Sequence, residues 1–288
     1  MSKSAVILLS FLAIASAFNS CDINKPVKLD MDNYYAWCIV PYDSKNRTPE
    51  QRIEMLKELG FKSYAYDWRT EHLPEMVDEF KLAIENDIQV NGVWLKVEEN
   101  DKVGILSAQN KKVLQAIKEA SLKTQIWTSL EDNFFKNLSE EESFDKAVEM
   151  ISYLSSEMAK MGGGVGLYNH GGWFGNPDNL VKIVKSVPSK NVGIVFSFHN
   201  AHEFLDTYSR MAKSMAPYLW AVNLNGMNPD APEFLQIGKG TEEARMIKVL
   251  EEAGYKGPYG ILGHRMDADA KSVLAGNLEG LKIIFDND

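Results

Sequence analysis

Short β-rich runs alternate with longer helical patterns along most of the chain, and this repeat limits the fold more than any other feature of the sequence. The runs are Tyr35–Val40, Ser63–Tyr66, Val90–Leu95, Thr124–Thr128, Val165–Tyr168, Val192–Phe198, Trp220–Leu224 and Tyr259–Leu262. Helical segments begin near Thr48, Leu73, Lys102, Glu142, Asp178, Glu203, Thr241 and Asp267. Strands separated by helices pair in parallel, because the helix carries the chain back to the start of the next strand. Eight such units predict an α/β fold, a single closed (β/α)8 TIM barrel. Local chemistry agrees. Thr48-Pro49-Glu50-Gln51 has a capping threonine, a proline where no N–H is needed and a glutamine able to close a capping box. Gly60 is placed to end that helix, and Gly162-Gly163-Gly164 to end the fourth and turn into the fifth strand.

The chain has 288 residues, 45% of them hydrophobic, enough for one large core. Forty acidic against 31 basic side chains give a net charge of -9, which repels phosphate backbones and argues against a nucleic-acid partner. The single long apolar run, Ala5 to Ala17 after Lys3, has the form of a signal peptide. Ala15-Ser16-Ala17 suits ordinary cleavage, whereas Phe18-Asn19-Ser20-Cys21 looks like a relaxed bacterial lipoprotein box with Cys21 as the lipidated residue. The expected organisation is a signal peptide over residues 1–20, a tether over 21–32 and the barrel over 33–288. The protein is then exported, either periplasmic or a membrane-anchored lipoprotein, and meets the membrane only through that lipid. Cys38 lies in an apolar run and reads as a small core hydrophobe, although a disulfide to a non-lipidated Cys21 is chemically allowed.

In a barrel of this kind the site is built from the loops that follow the strands. All five histidines fall there: His72 after strand two, His170 after strand five, His199 and His202 after strand six, and His264 after strand eight. Neutral imidazoles on one rim can bind a metal or move protons near pH 7. His199 and His202, three residues apart, are the candidate metal pair. Trp37, Trp68 and Trp173 are candidate stacking surfaces for a sugar, while Trp94 and Trp220 read as filling. Of the rim carboxylates Asp43, Asp67, Glu71 and Glu131, the last two are the stronger candidates, Glu71 for binding and Glu131 for catalysis. Asn169, Asn223 and Asn225 supply amides. Gly238-Lys239-Gly240, just before the seventh helix, offers N–H groups to an anion, with Lys239 beside them.

Four segments carry a family likeness: Leu167-Tyr-Asn-His-Gly-Gly-Trp173, Asn191-Val-Gly-Ile-Val-Phe-Ser-Phe-His-Asn-Ala-His202, Ala221-Val-Asn-Leu-Asn-Gly-Met227 and Gly260-Ile-Leu-Gly-His264. Together they resemble exported members of the xylose-isomerase-like TIM-barrel superfamily, which includes sugar isomerases, epimerases, inosose dehydratases and a DNA-repair endonuclease branch. The resemblance implies sugar chemistry and a divalent metal held by Glu, Asp, His and Glu at the later strand ends. This chain departs from that set, with His199-Asn-Ala-His202 where Asp-x-x-His is expected, Asn223 and Asn225 in place of a histidine, and His264 in place of a glutamate. A histidine-rich replacement would suit a transition metal (Zn, Mn, Co, Fe or Ni). The expected function is a sugar or keto-sugar isomerase, epimerase or lyase that removes a proton next to a carbonyl, with Glu131, His170, His199, His202 and His264 as the acid/base set. The alternative is a carbohydrate-binding barrel without catalysis. A retaining glycosidase fits less well, since amides stand where its second carboxylate would be needed.

Overall fold

The computed structural model describes residues 29–286. Strands β1 (Tyr34–Trp37), β2 (Ser63–Tyr66), β3 (Gln89–Val97), β4 (Gln125–Leu130), β5 (Gly164–Tyr168), β6 (Val192–Ser197), β7 (Leu219–Leu224) and β10 (Tyr259–Leu262) form a closed parallel barrel in the order β1-β10-β7-β6-β5-β4-β3-β2. Around it run α1 (Pro49–Glu58), α2 (Met76–Glu85), α3 (Ala108–Glu119), α4 (Glu140–Ala159), α6 (Pro177–Ser186), α7 (Tyr208–Met215), α8 (Glu243–Glu252) and α9 (Ala270–Asp286). A one-turn helix, α5 (Gly172–Gly175), follows β5. The chain is thus a single (β/α)8 TIM barrel, as the repeat implies. The Thr48/Gln51 capping box forms in full, and Gly60 and Gly162 take positive φ at the helix ends.

Two cores result from the alternation of side chains along each strand. Residues such as Tyr64, Val93, Ile126 and Phe196 point outward into the layer beneath the helices. There Arg52 of α1 donates to Glu79 of α2 at 2.7 Å, and the Tyr64 hydroxyl donates to the same carboxylate at 3.2 Å. The inner core holds Tyr35, Trp37, Ala65, Trp127, Tyr168, Val195, Ala221 and Leu262. Large rings inside the barrel, here and at Trp220, fit because glycines stand opposite them. A Cβ added at Gly92 would lie 2.2 Å from the Trp127 ring, one at Gly260 2.5 Å from Tyr35, and one at Gly193 2.3 Å from Trp220. Trp220, half-buried at the register shift between β6 and β7, packs over Gly164 and Gly193.

Three local features depart from the sequence reading. Helix α3 starts at Ala108 rather than near Lys102. The intervening loop is closed by buried Asp101, which accepts from the backbone N–H groups of Glu98 and Ser107 and from the Asn110 amide. The sixth helix is preceded by a 3-10 stretch, Phe198–Thr207, in which Asn200 leaves helical dihedrals. Between β7 and α8 the chain makes an antiparallel hairpin, β8 (Gly226–Asn228) with β9 (Ala231–Leu235), that periodicity did not reveal. Among the described residues no helix is long and apolar enough to cross a membrane. The expected signal peptide and Cys21 lie outside the described residues, and among those residues Cys38 is a buried thiol without a disulfide partner.

Candidate functional site

A cavity of about 670 Å³ opens at the end of the barrel where the strands finish. Its apolar walls are Trp37, Trp68, Trp94, Tyr42, Phe234 and Leu262, and its polar lining includes Asp67, Arg69, Lys96, Glu98, Tyr168 and Ser197. Of the histidines, His170, His199 and His264 line it. Strands β5, β6 and β10 thus deliver one imidazole each to the same space.

The floor is rigid because its polar groups satisfy one another. The Tyr35 hydroxyl donates to Asn223 Oδ1 at 2.7 Å, and Asn223 Nδ2 and Trp37 Nε1 donate to the Tyr168 hydroxyl at 3.2 and 3.1 Å. Asn169 prolongs the sheet, since its Oδ1 accepts from Ser197 N–H and its Nδ2 donates to the Ser197 carbonyl. Both asparagines, expected as ligand contacts, are engaged within the barrel and do not line the cavity. Asn225 is likewise buried, with its amide turned to the Gly226 carbonyl.

Over this floor four rings stack. Phe234, carried in by the hairpin, lies 3.6 Å from the His199 ring and 3.9 Å from the His264 ring, at 20° and 12°. Tyr42 covers the far side of His264 at 3.7 Å. Arg69 donates to the Tyr42 hydroxyl at 2.6 Å. Burial, reinforced by the neighbouring His202 and His170, pulls the His199 pKa down to about 4. Burial also brings His264 to about 3, helped by His199 and Arg69. Both imidazoles are neutral at pH 7, so neither can polarise an oxygen as a cation.

His170 stands half-exposed at the mouth, its ring 5.2 Å from Trp94 and its Nδ1 3.6 Å from Glu131 Oε1. Its proximity keeps the Glu131 carboxyl below the usual glutamate range. Glu131 does not line the cavity and reaches it through His170. Asp67, at the end of β2, is the opposite case: burial raises its carboxyl to about 6, against the lowering effect of the Val40 N–H and Arg69. Asp67, ranked below Glu71 and Glu131 among the rim carboxylates, and Trp94, read as filling, both line the site. Asp67 occupies the same post-strand position that singled out the histidines, so that signal was present. Phe234 had only the Asn228-Pro229-Asp230 turn to announce its hairpin.

The remaining candidates lie elsewhere. Glu71 is exposed, and His72 Nδ1 accepts from Arg69 N–H at 3.0 Å, within a short 3-10 turn. Trp173 packs on Phe135 at 5.0 Å. Lys239 is exposed, and the N–H groups around it are engaged: Glu243 accepts from Gly238 and Gly240 at 3.0 Å and from Met227 at 2.9 Å. The cradle expected to hold an anion is therefore filled by the chain's own carboxylate.

Among the described residues the expected metal pair has no third ligand beside it. The His199 and His202 rings lie at 86° with centroids 6.2 Å apart, and Asn200 between them leaves helical dihedrals. His202 Nδ1 donates to the Asn228 carbonyl at 3.0 Å, which turns the ring toward the hairpin. Among the described residues no three His, Cys, Asp or Glu side chains come together as metal ligands. The donor set therefore does not fit the divalent metal that the family resemblance implies.

The sequence matches the model of the xylose isomerase-like TIM barrel over residues 53–282. No curated protein matches the chain in sequence. Among solved structures, a D-psicose 3-epimerase in the presence of D-fructose is similar with a TM-score of 0.64 at 14% identity, over 87% of this chain and 97% of that one. A 3-keto-D-glucoside 4-epimerase from E. coli gives 0.63 at 17% identity, over 88% and 98%. The IOLI protein with a binding zinc atom gives 0.65 at 14% identity, again over 88% and 98%. At these identities the structural likeness speaks for the fold, and the family model, which spans most of the barrel including β2 through β10, settles the kinship: the chain belongs to the xylose isomerase-like TIM barrel family.

Proposed function

We propose that the cavity binds an unphosphorylated sugar or keto-sugar and moves a proton at the carbon next to its carbonyl, as an isomerase, epimerase or lyase. The observation that carries this reading is the combination of tryptophan walls with titratable groups in one cavity at the strand ends. Indole faces stack on the C–H faces of a sugar ring, while His170, Lys96, Glu98 and Asp67 meet its hydroxyl and carbonyl oxygens. Epimerases of D-psicose and of a 3-keto-D-glucoside share the fold and support the substrate class. The filled Gly238–Gly240 cradle argues for a ligand without phosphate.

Among the described residues no three metal ligands converge, and in this reading side chains carry the proton. His170 is the base in this reading: it stands at the mouth, with the Glu131 carboxylate 3.6 Å from its Nδ1. Solvent-deuterium exchange tests the idea directly. Incubation of D-fructose, D-psicose and D-tagatose with the protein in D2O is expected to exchange the C–H next to the carbonyl of at least one sugar, read by proton NMR. A second reading, carbohydrate binding without turnover, is favoured by the loss of the family's ligand set while the aromatic walls persist. Binding in calorimetry with no exchange would select it.

The N-terminal apolar run and Cys21 support an exported, lipid-anchored protein. Mass spectrometry of protein from its native host is expected to find no Met1, and an acylated Cys21 as the first residue.

A further inference from the structure

The Asp67 carboxyl is 3% exposed, lines the cavity, and is held from one side only. Val40 N–H donates to its Oδ1 at 3.3 Å, while the buried Oδ2 has no partner. A buried, unsatisfied carboxyl oxygen at a cavity wall is costly and calls for a partner that arrives with the ligand. Its neighbour Cys38 leaves β1 at φ 55, a conformation that non-glycine residues adopt rarely and that tends to persist at functional sites.

We infer that Asp67 is the acid of the site, donating the proton of its free oxygen in a hydrogen bond to the ligand's carbonyl oxygen. This rests on the carbohydrate reading above. In an enolisation the C–H bond next to the carbonyl breaks and its proton goes to the base, His170. The carbonyl π pair moves onto oxygen, which takes the Asp67 proton and becomes an enol hydroxyl. Return of a proton to carbon and of the hydroxyl proton to Asp67 restores both groups.

Charged and titratable groups around Asp67 are Cys38 and Tyr42 after β1, Tyr66 at the end of β2, Arg69 after it and Arg52 on α1, and His264 after β10 lines the same cavity. Cys38 stays a thiol through burial, with Asp67 adding to the shift, and burial, aided by Cys38, likewise keeps Tyr42 a neutral phenol. Burial keeps His264 neutral above about pH 3. Burial holds the Tyr66 phenol neutral as well, and the titration near 6 in this group belongs to Asp67.

The test is calorimetric affinity for D-fructose, D-psicose and D-tagatose between pH 5 and pH 7.5. For the wild type, affinity is expected to fall more than tenfold over this range, about what the loss of the proton dictates for a group near 6. In Asp67→Asn, whose amide is a permanent donor, affinity is expected to stay within about threefold of the pH 5 value throughout, and turnover to fall at least a hundredfold. In Asp67→Ala affinity is expected to be lost. A second measurement needs no variant: at pH 5, adding the bound sugar to the wild type is expected to shift a protonated-carboxyl band in infrared difference spectra. Wild-type binding with no pH dependence, or with no infrared shift, overturns this inference alone. Failure of the wild type to bind all three sugars overturns the carbohydrate reading and this inference with it.

Discussion

Asp67 shows how a single burial sets a charge and hence a stability. Its folded pKa of about 6 lies above the value near 3.9 of an unfolded aspartate. The folded state therefore holds the proton more tightly, and the wild type loses stability as pH rises from about 4 through 6. At about 1.4 kcal/mol per pKa unit the loss is roughly 2–3 kcal/mol by pH 7.5. Asp67→Asn keeps an oxygen for Val40 N–H and carries no charge. Urea unfolding is expected to find it more stable than the wild type by about that amount at pH 7.5 and equal at pH 4. His170 makes the complementary case, because it is exposed at the mouth and anchors no core. His170→Ala is expected to leave the urea midpoint unchanged and, where exchange occurs, to reduce its rate roughly 10²–10⁴-fold.

At the level of elements, the β8–β9 hairpin and the loop into α8 decide the shape of the mouth. Glu243 fixes that loop by accepting three backbone N–H groups, from Met227, Gly238 and Gly240. Glu243→Ala leaves these donors unsatisfied and is expected to cost about 2–4 kcal/mol in chemical unfolding, since charge-assisted bonds are among the stronger ones. The hairpin in turn delivers Phe234 between His199 and His264. Phe234→Ala removes the ring that shields both imidazoles from water. In NMR titrations the two histidine pKa values are expected to rise from about 4 and 3 toward 6.5. Unchanged values would mean that the barrel walls, not the hairpin, exclude the water.

For the whole molecule, closure of the barrel depends on matching glycine to ring across its interior. Gly92→Ala would drive a methyl group into Trp127, which is itself held by Tyr35 and Trp37 at ring distances of 5.6 and 5.1 Å. Overpacking of this kind is expected to cost about 1–3 kcal/mol and to lower the melting temperature by several degrees. Since Trp127 lies beneath the Trp37 and Tyr168 side chains of the cavity, the same change is also expected to weaken sugar binding.

The barrel was legible in the sequence because its evidence is local. Each strand and each helix shows its period within a few residues, and each cap, such as Thr48 with Gln51, works at a distance of three residues. The gathering of His170, His199 and His264 was legible for the same reason, since a post-strand position in a known topology fixes the rim to which a residue belongs. What a rim residue touches is a different matter. Whether His202 faces the cavity or Asn228, whether Asn223 meets a ligand or Tyr35 and Tyr168, and whether the Gly238–Gly240 cradle is open or filled by Glu243 depend on contacts between side chains far apart in the chain. Burial also acts at that level: it sets Asp67 apart from the solvated acid it resembles in sequence, and it makes His199 and His264 neutral. The sequence by itself determined the periodicities and hence the barrel. The tertiary structure decided which polar groups were already satisfied, and so which of them remain to act on a ligand.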